Sequence, residues 1–153
     1  MVKIVNLRDR LEFFDNVVVS LWKQWGTEKN HNFFNSLVRN IVNNESEDVP
    51  QVYIAIEEDK FIGVTALLRN DLKSRQDLFP WFACLYVVEQ ERGRKVGRLL
   101  EAHCESRVKE MGYKKLFLIT ELENYYEKTG WKFIEREPQI SGDVIKVYEK
   151  NLC

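Results

Sequence analysis

Four cationic side chains crowd one short segment of the chain, a pattern that points to anion binding. The segment covers residues 92–98, and its cations are Arg92, Arg94, Lys95 and Arg98. Apolar spacing predicts that a helix begins here, and cations at a helix N-terminus each forfeit roughly 0.3–1 kcal/mol. We therefore expect an anion at this turn, bound by backbone N–H groups and flanking charges. Gly93 and Gly97 would let it approach the backbone closely. The alternative is a solvated basic helix end.

The spacing of the glycines excludes two common nucleotide-binding motifs. A Walker loop needs the pattern GxxxxGK[ST], whereas the step from Gly93 to Gly97 is too short and the expected hydroxyl is missing. A Rossmann turn needs GxGxxG, but Lys95 stands where its second glycine would be. A diphosphate bound without a metal ion remains compatible with the turn.

The residues around this turn resemble a known family. Leu85–Val88 followed by Arg92–Leu100 is similar to the acetyl-CoA-binding motif Q/R-x-x-G-x-G/A of the GNAT superfamily of N-acetyltransferases. Tyr126–Trp131 resembles the second family signature, a tyrosine, acidic, basic, x, glycine, aromatic run. Several departures are visible. Lys95 replaces the middle glycine of the first motif, and Glu89 stands where proline is common. The helix before Gly130 is short, and the asparagine often found at its start is not evident.

The resemblance implies direct transfer of an acetyl group from the CoA thioester to a primary amine, without a covalent enzyme intermediate. The pyrophosphate would lie on the amides of Arg92, Gly93, Arg94, Lys95, Val96, Gly97 and Arg98. The pantetheine arm would pair with the backbone of Tyr86, Val87 and Val88 like an added strand. Tyr126 matches the family tyrosine that protonates the departing thiolate. The alternative is that Tyr126 packs in the core while Tyr125 faces the site.

The acceptor amine must lose a proton before it attacks, since a lysine-like amine has a pKa of about 10.4. Asp77 and Glu121 are candidates for the general base, directly or through water, although a surface carboxylate or a helix cap explains each equally well. Arg75, Asp77 and Trp81 are expected to line the acceptor pocket. The acceptor could be a small molecule or a peptide.

The elements that position these residues follow from the spacing of apolar side chains. The predicted order is a strand over 2–7, helices over 11–25 and 34–42, strands over 52–56, 61–68 and 81–88, a helix over 96–111, a strand over 116–119, a short helix over 122–129, and strands over 131–134 and 144–148. Strand, helix and strand around the basic turn predict a parallel βαβ unit. We expect an α/β fold with a GNAT-like, mostly antiparallel central sheet flanked by helices.

Length and composition bound the remaining possibilities. The 153 residues predict a single domain over 1–153, with 44% hydrophobic and 31% charged residues. A net charge of −1 argues against nucleic acid as a partner. The longest apolar run, over 78–88, is too short for a membrane span, which needs about 20 residues.

The three cysteines have neither disulfide nor metal-ligand spacing; they are Cys84, Cys104 and Cys153. We therefore expect a cytoplasmic protein without a metal. We also expect either a monomer or a homodimer. Two other functions remain open. One is an acyl-CoA-binding module without catalysis, and the other is an interaction protein whose basic turn docks an anionic partner.

Overall fold

A computed structural model describes residues 1–152, and Cys153 lies outside the described residues. The strands are β1 (Lys3–Asn6), β2 (Gln51–Glu57), β3 (Lys60–Leu68), β4 (Trp81–Val87), β5 (Lys115–Thr120), β6 (Lys132–Pro138) and β7 (Val144–Asn151). The α-helices are α1 (Phe14–Trp25), α2 (His31–Val42) and α3 (Val96–Glu110). Short 3₁₀ turns cover Leu7–Asp9, Leu11–Phe13, Glu89–Glu91 and Tyr126–Thr129.

The strands form one sheet in the order β1-β2-β3-β4-β5-β7-β6. Antiparallel ladders join β1 to β2, β5 to β7 and β6 to β7. The β4–β5 pair is parallel, with Trp81 opposite Phe117. This arrangement confirms the predicted mixed, mostly antiparallel α/β fold. It also confirms the parallel pair formed by the strands that precede and follow α3 in the chain.

The predicted helices differ from the observed ones mainly at their ends. The first predicted helix divides at its start into a 3₁₀ turn over Leu11–Phe13 and α1, which ends before Gly26 as expected. The short helix predicted over 122–129 is reduced to the 3₁₀ turn Tyr126–Thr129. Gly130 follows this turn with φ of +93°, a left-handed conformation in which glycine carries no Cβ penalty.

The described residues form two compact units, each built from two stretches of chain. The first comprises Met1–Ala66 and Cys84–His103. Its core includes Ala55, Ile62, Val96 and Leu100, with Ile4, Leu85 and Val87 packed against them. Burial of each such aliphatic side chain contributes roughly 1.5–3 kcal/mol, and here it fixes the first turns of α3 against β2 and β3.

The second unit comprises Leu67–Ala83 and the chain from Cys104 onward. Its core includes Leu72, Trp81, Phe117 and Val147, with Leu68, Leu78, Ile119 and Ile145 packed against them. The loop after β3 is therefore anchored by Leu72 in the same core as β5 and β7. The single domain over 1–153 stays a prediction.

Candidate active site

The turn that precedes α3 has the backbone of an anion cradle. Gly93 has φ of +82° and Lys95 has φ of +66°, so two left-handed residues bracket Arg94. The amides of these three residues donate no hydrogen bond within the described part of the chain. The first amides of α3 follow directly, and such groups have no acceptor within their own helix. A Cβ at Gly93 would meet open space, so a ligand can reach the backbone there.

Lys95 explains why the family motif prefers glycine at this position. A left-handed conformation costs an ordinary L-residue roughly 1–2 kcal/mol, because Cβ approaches the following carbonyl oxygen. The turn keeps this conformation with a lysine, whose side chain is exposed. Strain of this kind occurs often at functional sites. The substitution retains the backbone amide and adds a cation beside it.

Arg92 and Arg94 have partners within the protein. Fewer cations of the turn are therefore available to an anion than the sequence indicated. Arg94 bonds to Glu57, with Nη2 2.9 Å from Oε1, and also to Glu91. Arg94 holds the pKa of the Glu57 carboxyl below its usual range. The guanidinium of Arg92 donates through Nε to the Val87 carbonyl at 2.8 Å and lies over the Tyr86 ring, 5.6 Å from its centroid. Arg94 is thus neutralised locally, while Arg92 braces the end of β4.

The end of β4 carries the backbone assigned to the pantetheine arm. The Val88 amide donates to the Ile62 carbonyl at 2.9 Å, so this group already has a partner in β3. Cys84, within β4, has φ of +57°, which interrupts the extended backbone two residues before Tyr86. Pairing of Tyr86, Val87 and Val88 with pantetheine stays a prediction.

The 3₁₀ turn Tyr126–Thr129 carries the predicted proton donor. The Tyr126 side chain is 8% exposed and lies edge-on to Tyr125, with ring centroids 4.8 Å apart, and to Trp131 at 6.0 Å. Tyr125 is 37% exposed. The role of Tyr126 as the acid, and the alternative of a core aromatic beside Tyr125, stay predictions.

Hydrogen bonds from β7 and from the turn itself fix the position of Tyr126. The Tyr126 carbonyl accepts from the Trp131 amide and from Thr129 Oγ1, both at 3.2 Å. The Tyr148 hydroxyl donates to Glu127 Oε2 at 2.7 Å, and Lys150 donates to the Thr129 carbonyl. Burial and the neighbouring Glu127 carboxylate raise the pKa of Tyr148 to about 12. Sequence reasoning did not identify Tyr148, since its partner is 21 residues away.

The loop before β4 brings two of the predicted acceptor residues together. Arg75 binds the Asp77 carboxylate through two hydrogen bonds of 2.9 and 2.7 Å and also contacts Glu135 on β6. These bonds hold the pKa of Asp77 below its usual range, which makes it a weaker base. Trp81 is fully buried, and its indole N–H donates to the Leu78 carbonyl at 2.7 Å. A role of Trp81 in an acceptor pocket stays a prediction.

Glu121, the other predicted base, lies just after β5 with its side chain exposed. Its carbonyl oxygen accepts a hydrogen bond from Lys146 Nζ at 3.1 Å. An exposed carboxylate is well solvated and therefore needs a bound acceptor to give it a catalytic role.

Asp71 is a partly buried carboxyl that sequence reasoning did not single out. It follows β3 and is half-buried, and this burial raises the pKa of its carboxyl to about 7. No hydrogen bond or ion pair within the described residues involves its side chain. The only signal in the sequence was its place beside Leu72 at the start of a charged loop, which does not reveal burial.

Comparison with known proteins shows the family. A model of the acetyltransferase (GNAT) family matches residues 11–131. The chain belongs to the GNAT family of acetyltransferases. The GNAT resemblance stated for the two motifs is thereby confirmed.

The individual relatives share little sequence identity with this chain. The chain is 26% identical over 101 residues to an uncharacterized N-acetyltransferase of Chlorobaculum tepidum, a match that covers 66% of this chain and 62% of that protein. The chain thus matches less than two thirds of that relative's length. The aminoglycoside 6'-N-acetyltransferase from Enterococcus faecium has a TM-score of 0.74 at 15% identity, covering 100% of this chain and 97% of that one.

A further solved structure, the PaiA N-acetyltransferase from Thermoplasma acidophilum in complex with coenzyme A, has a TM-score of 0.70 at 19% identity, with 99% of both chains covered. At such identities the likeness shows the fold. No helix among residues 1–152 is long and apolar enough to cross a membrane.

Proposed function

We propose that this GNAT protein transfers the acetyl group of acetyl-CoA directly to a primary amine of a small-molecule or peptide acceptor. The observation that carries the proposal is the turn before α3, where left-handed backbone at Gly93 and Lys95 leaves consecutive amides without protein acceptors. Such a row of N–H groups at a helix start suits the pyrophosphate of acetyl-CoA. Lys95 and Arg98 add positive charge beside it.

Residues of the chain supply binding and proton transfer to this reaction. The backbone of Tyr86, Val87 and Val88 would align the pantetheine arm, so that the thioester lies at a fixed depth. Tyr126 would donate its phenolic proton to the departing thiolate sulfur. A phenol has a pKa of about 10 and a thiol about 8.5, so this transfer requires close positioning of the hydroxyl.

The proposed acceptor is defined as a chemical class, a primary amine. The Enterococcus faecium neighbour is named as an aminoglycoside acetyltransferase, which supports a small amine, whereas another neighbour is a complex bound to a Gag peptide and CoA. Arg75, Asp77 and Trp81 would line or shape the acceptor pocket, and Glu121 would lie at its exposed side. Cys84 and Cys104 form no disulfide within the described residues, which favours a reducing cytoplasm as the place of reaction.

Replacement of the proposed acid tests this function. With acetyl-CoA and a panel of primary amines, release of free CoA thiol measures turnover. We expect Tyr126→Phe to lower kcat by about 100-fold or more while the affinity for acetyl-CoA changes little. Tyr125→Phe is the matched control and should retain activity. Loss of activity in Tyr125→Phe but not in Tyr126→Phe would reverse the two roles. Acetyl-CoA binding without turnover of any amine by the wild type would instead favour a non-catalytic module.

A further inference from the structure

We propose that Arg94 is a positioning residue of the donor site, which holds the anion cradle (Gly93–Lys95) in its binding conformation through Glu57 and Glu91. The inference rests on the proposed function and concerns the same site. It differs from the interpretation of the sequence, which counted Arg94 among the cations that attract the anion. It follows that two carboxylates beside an anion site strengthen the binding of acetyl-CoA.

The backbone of the anion cradle has little to hold it from within. Gly93 has φ of +82° and Lys95 has φ of +66°, and the three amides of the cradle donate no hydrogen bond within the described residues. The left-handed region is unfavourable for a lysine, because its Cβ crowds the following carbonyl oxygen. Such backbone persists only where the surrounding structure constrains it. The cradle therefore needs a constraint from neighbouring elements.

The Arg94 side chain supplies that constraint from two directions. Its Nη2 lies 2.9 Å from Oε1 of Glu57, the last residue of β2, and its Nη1 donates to Glu91, the last residue of the 3₁₀ turn Glu89–Glu91. A planar guanidinium whose two nitrogens bind different carboxylates has little freedom to turn. Both carboxylates are partly covered, with 23% and 29% of their side chains exposed, so solvent screens them less than a fully exposed pair. Arg94 thus ties the middle of the cradle to a strand and to the preceding turn.

The charges of this group argue against direct attraction of the anion by Arg94. The group carries one positive charge, on Arg94, and two negative charges, on Glu57 and Glu91. A phosphate that approaches it meets a net negative charge, which repels it. By contrast, Lys95 is exposed and forms no ion pair within residues 1–152. Lys95 therefore supplies charge to the cradle, and Arg94 supplies its shape.

Removal of both carboxylates gives opposite results for attraction and for positioning. The Glu57→Gln, Glu91→Gln variant loses two negative charges and frees the Arg94 guanidinium, so electrostatics alone predicts at least about twofold tighter binding of acetyl-CoA. We expect binding about fivefold weaker than in the wild type, because the freed turn must be ordered when the anion binds. Calorimetric titration at low ionic strength measures the affinity. Equal or tighter binding in this variant would overturn the proposal.

A matched control variant removes the same charge from the same surroundings. Glu58 and Glu89 are exposed, lie within two residues of Glu57 and Glu91, and form no bond with Arg94 in the described part of the chain. Glu58→Gln with Glu89→Gln should bind acetyl-CoA as tightly as the wild type or up to about threefold more tightly. An equal loss of affinity in this control and in the Glu57→Gln, Glu91→Gln variant would mean that the bonds to Arg94 are not responsible, and would overturn the proposal.

Arg94→Lys separates charge from geometry. It keeps the positive charge, but a single ammonium nitrogen cannot reproduce the fork that spans the two carboxylates. We expect about threefold weaker binding of acetyl-CoA, whereas attraction by charge alone predicts no change. An Arg94→Lys protein with the affinity of the wild type would contradict the assignment.

Backbone amide relaxation, measured by NMR on the free protein, tests the positioning without acetyl-CoA. We expect order parameters of about 0.85 for Gly93, Arg94 and Lys95 in the wild type and below about 0.6 in the Glu57→Gln, Glu91→Gln variant. The amides of α3 should keep values of about 0.85 in both proteins, which shows that the variant is folded. A cradle that is equally rigid or equally mobile in both proteins would overturn the proposal.

Calorimetry with the wild type separates the two possible failures. A wild type that does not bind acetyl-CoA overturns the proposed function and the positioning role of Arg94 with it. A wild type that binds, together with a Glu57→Gln, Glu91→Gln variant that binds equally well, overturns the positioning role alone.

Discussion

Lys95 combines two opposing effects in one residue. Its φ of +66° costs stability, because the Cβ of a lysine crowds the following carbonyl oxygen in the left-handed region. The same residue adds an exposed ammonium group at the turn where backbone amides lack acceptors. Retention of a lysine where glycine would be unstrained is consistent with a gain in anion binding that offsets the cost.

Substitution of this lysine should separate stability from binding. We expect Lys95→Gly to raise the free energy of unfolding by about 1 kcal/mol, since the relief of left-handed strain exceeds the added entropy of the unfolded glycine. Lys95→Ala keeps the Cβ and should give no such gain. Urea denaturation of the three proteins measures the difference. A Lys95→Gly protein that is no more stable than Lys95→Ala would contradict the proposed strain.

At the scale of elements, the turn Tyr126–Thr129 depends on its neighbours for its position. A 3₁₀ turn of four residues has too few internal hydrogen bonds to fix a side chain by itself. Bonds from Tyr148 and Lys150 on β7 supply the missing constraint. The strand at one side of the turn thereby sets where the Tyr126 ring can lie.

Removal of one of these bonds tests that dependence. Tyr148→Phe should lower the free energy of unfolding by about 1 kcal/mol, the usual net contribution of one hydrogen bond. It should also lower kcat, because the turn that carries Tyr126 becomes less fixed. Glu127→Gln keeps an oxygen acceptor for the Tyr148 hydroxyl and should have the smaller effect in both assays. Thermal unfolding and thiol release measure the two quantities. An unchanged kcat in Tyr148→Phe would show that the turn is positioned without this bond.

The sequence predicted those elements whose apolar spacing is regular. The amphipathic repeats predicted α1, α2 and α3, and the polar turn between β-rich runs predicted the β2–β3 hairpin, whose turn residues Glu58 and Asp59 both have positive φ. It underestimated β6, which extends to Pro138 rather than residue 134. An edge strand with charged residues on a half-exposed face shows no clear apolar alternation.

Features of the site that depend on residues far apart in the chain could not be predicted from the sequence. Arg94 pairs with Glu57, 37 residues away, so the number of cations left for an anion could not be counted from the turn itself. Asp71 appeared as one charge among several in its loop, and only tertiary packing gives it a raised pKa. The glycine-rich turn and the Tyr126–Trp131 signature were predictable because their chemistry lies within a few consecutive residues.

At the scale of the whole molecule, the near-neutral net charge does not reveal that the Asp71 carboxyl lowers the stability of the folded state at high pH. Asp71 has a folded pKa of about 7, above the 3.8 of an ordinary aspartate. The protonated form is thus favoured by folding. Its contribution to stability is fully present below about pH 4 and is lost as the pH rises through about 7.

Neutralisation of Asp71 should therefore stabilise the protein only at the higher pH. We expect Asp71→Asn to raise the free energy of unfolding by roughly 2 kcal/mol at pH 8, less than a three-unit shift would give in full because solvent still reaches the carboxyl. Below about pH 4 the variant and the wild type should be equally stable. Urea denaturation across this pH range, with Asp143→Asn as the control, measures the effect. A difference that is constant with pH would mean that the Asp71 carboxyl is not perturbed by folding.

Calorimetric titration with acetyl-CoA tests the central claim most directly. Three proteins are compared. They are the wild type, a double variant of the turn (Arg92→Ala with Lys95→Ala), and a control variant. The control loses two exposed lysines elsewhere (Lys29→Ala with Lys109→Ala). We expect the wild type and the control to bind alike and the turn variant to bind at least about tenfold more weakly, a loss of about 1.4 kcal/mol. No binding heat in the wild type, or equal affinity in all three proteins, would contradict a donor site at the start of α3.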